Sequence, residues 1–470
     1  MQAPAPGGLA RVGKTLIFQA SIGWRQEMDM EAVYRRCAGL DVHKDVIEVC
    51  VLPPAGQSGS PQRRRFATFT SDLIRLRMWL VSLKATEVAM ESTGLYWVPV
   101  WRQLEGHIGK RLLCNPQQVK ALAGRKSDRR DGQRIAEFLQ DGRLDPSFVP
   151  PKEIQQLREL LRMRVSLVQE HNRLSNRVEK LLQSYGVKLS SVASDILGKT
   201  GQRILTALAA GQTDPDQLSW KAVGSLREKE AQLRRALRAD FDEHSCWMLG
   251  VLLGQLKENE QWREQLEQRI TEGMKPYEPI VIRLMTIPGV DRLTAWSMVA
   301  ELGTDMSVFP DQRHCASWAG VCPGTNESAG KQHSTRTRRG NRYLRRILTQ
   351  SAWATSRCKR GYLRAAFHRI AQRRGHKKAV VAIAHKILVA AYFIIRDKTT
   401  YLELGEDYFD LLHPERTARR LARRLERIGY QVTLTKAAAT APQSSEGQQP
   451  KKRGRPCKCA ERGIDCKHKR

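Results

Sequence analysis

The sequence predicts an α/β domain with a mixed sheet at its start, a long helical middle, and a mostly helical last third. Three observations carry that prediction. Short apolar runs alternate with amphipathic stretches over residues 38–116, as strands and helices do in a layered domain. After Pro150 and Pro151 the apolar residues recur at three- and four-residue steps throughout 152–185. Residues 280–400 read as helix again, interrupted by a glycine-rich basic loop.

In order along the chain, residues 38–53 hold two strand-like runs or one long strand, and 65–70 read as another strand. Helical spacing follows over 71–83, a short buried strand over 87–92, a helix over 95–105 and a strand over 111–115. In the middle, Ile154, Leu157, Leu161, Val165, Val168, Leu174, Val178 and Leu181 mark one amphipathic stretch. A second runs from about 226 to 270 through Leu233, Leu237, Phe241, Leu252, Leu256, Leu266 and Ile270. The two can pair as an antiparallel coiled coil, pair between subunits, or sit in an ordinary helical bundle.

The expected organisation is a disordered or over-long start at 1–36, an α/β domain over 37–150 and a helical or coiled-coil linker over 151–275. A C-terminal domain over 276–400, a helical extension over 401–436 and a disordered basic tail over 437–470 complete it. A chain of 470 residues buries enough surface to need no disulfide staples. Seven of its ten cysteines are scattered without paired spacing, as reduced thiols of a cytosolic protein are.

Eighty Lys and Arg against 48 Asp and Glu give a formal charge of +32, a field that attracts polyanions. Nucleic acid is the expected partner, ahead of a ribosome or a membrane surface. The most apolar run, 380–395, is broken by His385 and Lys386 and falls short of the roughly 20 residues a membrane helix needs. The chain therefore reads as soluble and cytoplasmic, with no membrane partner.

Four acids stand out. Asp41 lies inside the strand pattern Gly39-Leu40-Asp41-Val42, where an acid is poorly tolerated unless it binds something. Glu91 closes the apolar run Val88-Ala89-Met90, at a strand end where open α/β sheets place ligands. Asp128 and Asp131 sit one helical turn apart, with Ser127 available as an N-cap. Hard oxygen ligands of this kind suit Mg²⁺ or Mn²⁺, and two such ions can clamp the attacking and leaving oxygens of a phosphodiester. The order of strand Asp, strand-end Glu and helical Asp pair resembles the RNase H-like fold of RuvC-type resolvases and DEDD transposases. His43 and Lys44 read as surface or phosphate contacts.

Residues 284–303 resemble a helix-hairpin-helix element, in which Gly289 and the following helix start would hold a DNA phosphate; Asp291 stands where such hairpins carry a second glycine. Ser328 follows in Asn326-Glu327-Ser328-Ala329-Gly330-Lys331, and seven Lys or Arg but no acid lie between Ser328 and Leu348. Lys331, Arg338, Arg339, Arg342 and Arg345 are the phosphate-binding candidates there. A serine amid that charge can either grip a phosphate or attack it.

The acid set and the serine segment, with the downstream Gly340-Asn341-Arg342-Tyr343-Leu344-Arg345-Arg346, resemble the DEDD transposases of insertion-sequence family 110, the bridge-RNA-guided recombinases. The resemblance covers about 38–400. It implies that Asp41, Glu91, Asp128 and Asp131 bind catalytic Mg²⁺ and that Ser328 forms a covalent serine–DNA intermediate. It further implies a structured guide RNA and assembly as homodimers or homotetramers acting on double-stranded DNA.

The tail lies outside that resemblance. Lys451-Lys452-Arg453-Gly454-Arg455-Pro456 resembles an AT-hook core, with Arg453 and Arg455 as minor-groove contacts. Cys457, Cys459, Cys466 and His468 have ligand types that suit Zn²⁺ at spacings tighter than a usual finger. The favoured function is a transposase or site-specific recombinase moving its own element. The alternatives are a metal-dependent nuclease or junction resolvase whose serine only binds phosphate, and a basic nucleic-acid-organising protein.

Overall fold

A computed structural model describes residues 36–92, 94–116, 119, 131–324, 326–328, 331–334 and 336–435. The first elements are β1 (Cys37–Val42) and β2 (Val46–Val51), which are separate strands because His43, Lys44 and Asp45 are exposed and His43 N–H donates back to Val46 O. The next strand, β3, spans Gln62–Ala67 rather than 65–70. Cross-strand pairing sets that position: Phe66 lies opposite Ile47 in the core, which puts the exposed arginines before it on the sheet edge.

Helix α1 (Thr70–Ser82) leads to β4 (Glu87–Glu91), and α2 (Trp97–Leu104) to β5 (Lys110–Cys114). The sheet order is β3-β2-β1-β4-β5, with β2 antiparallel to both neighbours and β1, β4 and β5 parallel. Both faces are covered. Ala38, Leu40 and Val42 of β1 pack toward α1 and α2, together with Leu73, Leu76, Leu80, Val100 and Leu104. On the other face, Cys37, Ala89, Leu112 and Cys114 meet Ile135, Phe138 and Leu139 of α3 (Asp131–Gln140). A mixed five-stranded sheet of this order, followed by many helices, is compatible with an RNase H-like N-terminal domain.

The middle is built on α4 (Lys152–Ser184). Three shorter helices follow, α5 (Lys199–Ala209), α6 (Pro215–Ser219) and α7 (Glu230–Leu237), and then α8 (Glu243–Met274) returns alongside α4. The pairing is antiparallel within one chain: Arg164 meets Glu267 at 2.7 Å, His171 meets Glu260 at 3.5 Å, and Leu157 packs on Gly273. The amphipathic stretch expected over 226–270 is broken between α7 and α8, where Asp242 caps the new helix by accepting from Ser245 N–H.

The C-terminal unit comprises α9 (Glu278–Leu284), α10 (Arg292–Leu302), α11 (Gln312–Ala319), a ribbon of β6 (Asn326–Ser328) and β7 (Lys331–Ser334), α12 (Arg342–Ser356), α13 (Tyr362–Arg374) and α14 (His376–Asp397). Helix α14 is long and apolar enough to cross a membrane by length and composition. Here Ile383, Ile387, Leu388 and Ala391 are fully buried in the helical core, and Lys386 donates to Tyr362 Oη at 2.8 Å. Two helices follow, α15 (Tyr408–Leu412) and α16 (Pro414–Arg427). The seven cysteines among the described residues are free, and burial pushes the Cys37, Cys114 and Cys315 thiols up to about 12, so they serve as core fillers.

Glu301 of α10 joins these parts. It is buried, and its carboxylate accepts both Arg162 Nε and Nη2 at 2.8 Å and Asn341 Nδ2 at 2.6 Å, while Arg158 lies 3.4 Å away. Arg158 also donates to the carbonyls of Ala300 and Glu301, and burial draws its guanidinium down to about 10. Removing one member of such a network strands the remaining charges. Glu301→Ala should lower the stability of the chain by about 3–5 kcal/mol, measured by denaturant unfolding, and a loss under about 1 kcal/mol would contradict this account.

Candidate active site

Strand alternation sends Gly39 and Asp41 to the face opposite Ala38, Leu40 and Val42, the face covered by α3. Parallel pairing of β1 with β4 runs to Leu40 opposite Met90, so Asp41 and Glu91 are the next residues on neighbouring strands and share that face. Asp131 is the first residue of α3, the helix that lies over it. Three of the four sequence-selected acids therefore converge at one corner of the sheet. Asp128 lies outside the described residues.

The convergence depends on a pair of glycines. A Cβ on Gly39 would stand 2.0 Å from Gly132 O and 2.5 Å from Ala136 N, and one on Gly132 would stand 3.1 Å from Glu48 O. Only bare backbone lets α3 approach β1 this closely.

Electrostatics register the crowding. The Asp41 carboxyl is held above its ordinary value first by burial, with further upward pressure from Asp131 and Glu91. His43 opposes the shift, with Nε2 3.0 Å from Asp41 Oδ2. Burial and two neighbouring acids thus press Asp41 toward its neutral form, and oxygen donors of this type are the ones a hard cation takes. Among the described residues, no three His, Cys, Asp or Glu side chains are gathered closely enough to hold an ion.

Several neighbours of the acids escape sequence reasoning. His43 reads there as a surface or phosphate contact, although its position two residues from Asp41 is a usable signal. Glu48 is directly opposite Asp41 on β2 and forms an ion pair with Arg65. Arg63 and Gln133 hydrogen-bond across a groove of about 300 Å³ that Glu48 and Arg65 also line. These residues become neighbours only through strand register, which no local pattern announces.

The serine segment takes a different form from the expected loop. Ser328 ends β6 and pairs with Lys331 of β7, and the ribbon continues through Gly324 N–H to Arg336 O at 2.8 Å and the bridge of Pro323 with Thr337. The backbone alone is described at Ser328 and Lys331. Arg338, Arg339 and Arg342 are exposed and Arg345 is half-buried. Gly340 packs on the Gly320 and Trp318 backbones, and Asn341 caps α12. In the hairpin between α9 and α10, Gly289 has a φ of +84° and abuts Thr355 and Ser351 of α12, while Asp291 accepts from Thr294 N–H. The positive φ and the close packing each call for glycine at that position. Arg453, Arg455, Cys457, Cys459, Cys466 and His468 lie outside the described residues.

Two family models match the chain. Residues 38–187 match the DEDD transposase model of IS110, and residues 282–369 match the transposase IS116/IS110/IS902 family. The chain is 28% identical over 376 residues to the transposase for insertion sequence element IS1111A of Coxiella burnetii, covering 77% of this chain and 90% of the relative. It is 27% identical over 329 residues to a probable family 20 transposase of Pseudomonas aeruginosa, covering 67% and 85%. A pilin gene-inverting protein of Moraxella lacunata is 22% identical over 377 residues, covering 77% and 96%.

Two outcomes follow from the packing and the charge. Gly39→Ala should destabilise the N-terminal domain by about 1–3 kcal/mol through overpacking and depress DNA cleavage, read by thermal melting alongside a cleavage assay. Asp41→Asn should raise the melting temperature in metal-free buffer. Ionising a carboxyl whose folded pKa lies above its unfolded one costs stability as pH rises through that interval, and the amide cannot ionise. A gain of about 1 kcal/mol would correspond to roughly 2–4 °C for a domain-sized unit of 150–250 residues. An unchanged or lower melting point would show that the ionised Asp41 carries no net cost in the folded chain.

Proposed function

This chain belongs to the IS110 family of transposases, and we propose on that footing that it cleaves and rejoins DNA strands to move an insertion sequence. Transposases act on DNA, so DNA binding and strand cleavage belong to the family, whose DEDD domain suggests use of a divalent metal. The observation that carries the finer reading is the shared face of Asp41 and Glu91 under the helix that begins at Asp131.

In this reading Asp41, Glu91, Asp128 and Asp131 hold Mg²⁺ or Mn²⁺. When bound, such a cation neutralises phosphate charge and polarises the scissile bond. The other parts of the reaction are assigned to the chain itself. His43 holds the Asp41 carboxylate in place through its 3.0 Å contact. Arg63 and Arg65 line the groove beside the carboxylates and suit the flanking phosphates. Ser328 Oγ loses its proton to solvent and bonds to the scissile phosphorus as the bond to one deoxyribose oxygen breaks, that oxygen leaving as a hydroxyl. Lys331, Arg338, Arg339, Arg342 and Arg345 draw the phosphodiester to Ser328 by charge. Assembly of two or four copies and a structured RNA from the element complete the proposal, both on the strength of the family resemblance.

The test is to incubate the full chain with DNA spanning the element's end, RNA from the element's flanks and Mg²⁺, then to run a denaturing gel. A protein–DNA adduct that forms with wild type, and is abolished by EDTA, by Ser328→Ala and by Asp41→Ala, is the expected result. Cutting by the Ser328→Ala protein without any wild-type adduct would replace this reading with a metal-dependent nuclease whose serine only binds phosphate.

A further inference from the structure

Helix α16 carries arginine at 416, 419, 420, 423, 424 and 427. These are steps of three and four, so the six guanidinium groups form one stripe along one side of the helix. The stripe faces a cleft of about 1560 Å³ whose other wall includes Arg369 and Arg373 of α13. Eight arginines and one acid, Glu415, line this cleft.

One arginine is committed to the fold. Arg420 lies 3.4 Å from Asp410, which also accepts from Thr417 Oγ1 at 3.3 Å, and this fastens α16 to α15. On the opposite wall, Arg369 sits 5.2 Å over the ring of Phe409. Arg416, Arg419, Arg423, Arg424 and Arg427 have no carboxylate partner among the described residues. Like charges held across an open cleft repel, and a chain of phosphates threaded between them would relieve the repulsion.

We propose that the cleft between α13 and α16 is a second nucleic-acid site, apart from the carboxylate face, which grips the sugar–phosphate backbone of double-stranded DNA without reading its sequence. Shape favours a polynucleotide over a lipid surface, the other polyanion to which an arginine-rich helix with exposed Leu421 and Leu425 could bind. A bilayer is broad and reaches only the rim of a cleft between two helices, whereas one strand of a duplex enters it. Helix α16 lies beyond both segments that match the family models, residues 38–187 and 282–369, while Arg369 on the opposite wall is the last residue of the second. The inference rests on the family's action on DNA and not on the chemistry proposed for the carboxylates or Ser328.

The experiment uses the full chain, a short DNA duplex of arbitrary sequence and a salt titration. In Arg419→Gln/Arg423→Gln/Arg427→Gln, the slope of log affinity against log salt should flatten by about 0.9 for each phosphate that the variant no longer neutralises. The matching triple Arg→Lys variant should keep the wild-type slope, because gripping a phosphate in this way needs charge, and both variants should melt with wild type. The titration is run in metal-free buffer and reads binding alone, so a failure of the cleavage reading leaves this result intact. An unchanged DNA slope in the glutamine variant overturns the proposal. So does a loss confined to an RNA duplex or to phosphatidylserine vesicles.

Discussion

The approach of α3 to β1 is the constraint on which the candidate site depends. Ordinary helix-on-sheet packing keeps a side chain's thickness between the layers, but Gly39 and Gly132 remove it and bring the Ala136 N–H almost onto the strand. The helix start, and with it Asp131, is thereby lowered onto the corner where Asp41 and Glu91 emerge from adjacent parallel strands. Such a corner is costly to build without enforcement, because burial first, and the nearby Asp131 and Glu91 after it, raise the proton affinity of Asp41. Close backbone packing over the hydrophobic patch of Cys37, Ala89, Ile135 and Leu139 offsets that cost.

A second constraint works through charge. Buried Glu301 gathers Arg158 and Arg162 of the long helix α4 and Asn341 at the start of α12 around one carboxylate. Asn341 in turn caps α12 with its own side-chain oxygen, accepting from Tyr343 and Leu344 N–H. The conspicuous Gly340-Asn341 pair therefore has an architectural role: it seats the helix that carries exposed Arg342 and half-buried Arg345 downstream of Ser328. Phe148, on the segment leaving the α/β domain, packs with Phe309 and Trp318 and against Gly303, so the same C-terminal core anchors the chain from both sides.

Much of the site was legible because acids are conspicuous in apolar surroundings. Asp41 within a strand and Glu91 at the end of another could be picked out from alternation alone, and the sheet pairs those strands. Partners such as Glu48, Arg63 and Arg65 were not legible, since only the ladder between β1, β2 and β3 brings them to the same corner. The serine segment shows the opposite limit. Its glycines and charge suggested an irregular loop, yet backbone pairing of Ser328 with Lys331 makes it a ribbon. The long middle helices were readable in period but not in partner, and Arg164–Glu267 and Leu157–Gly273 settle that they pair within one chain.

By itself, the sequence determined the order of strands and helices, the polyanion-seeking charge and the identity of the conspicuous acids. These are encoded locally, in the period of apolar residues and in side chains that do not belong where they are found. Only the tertiary structure decided which of those acids meet, how closely α3 may lie on β1, and that α13 and α16 face each other across a cleft lined with arginine. Those outcomes depend on strand register and on contacts between residues far apart in the chain. Neither leaves a trace in the spacing of neighbouring residues.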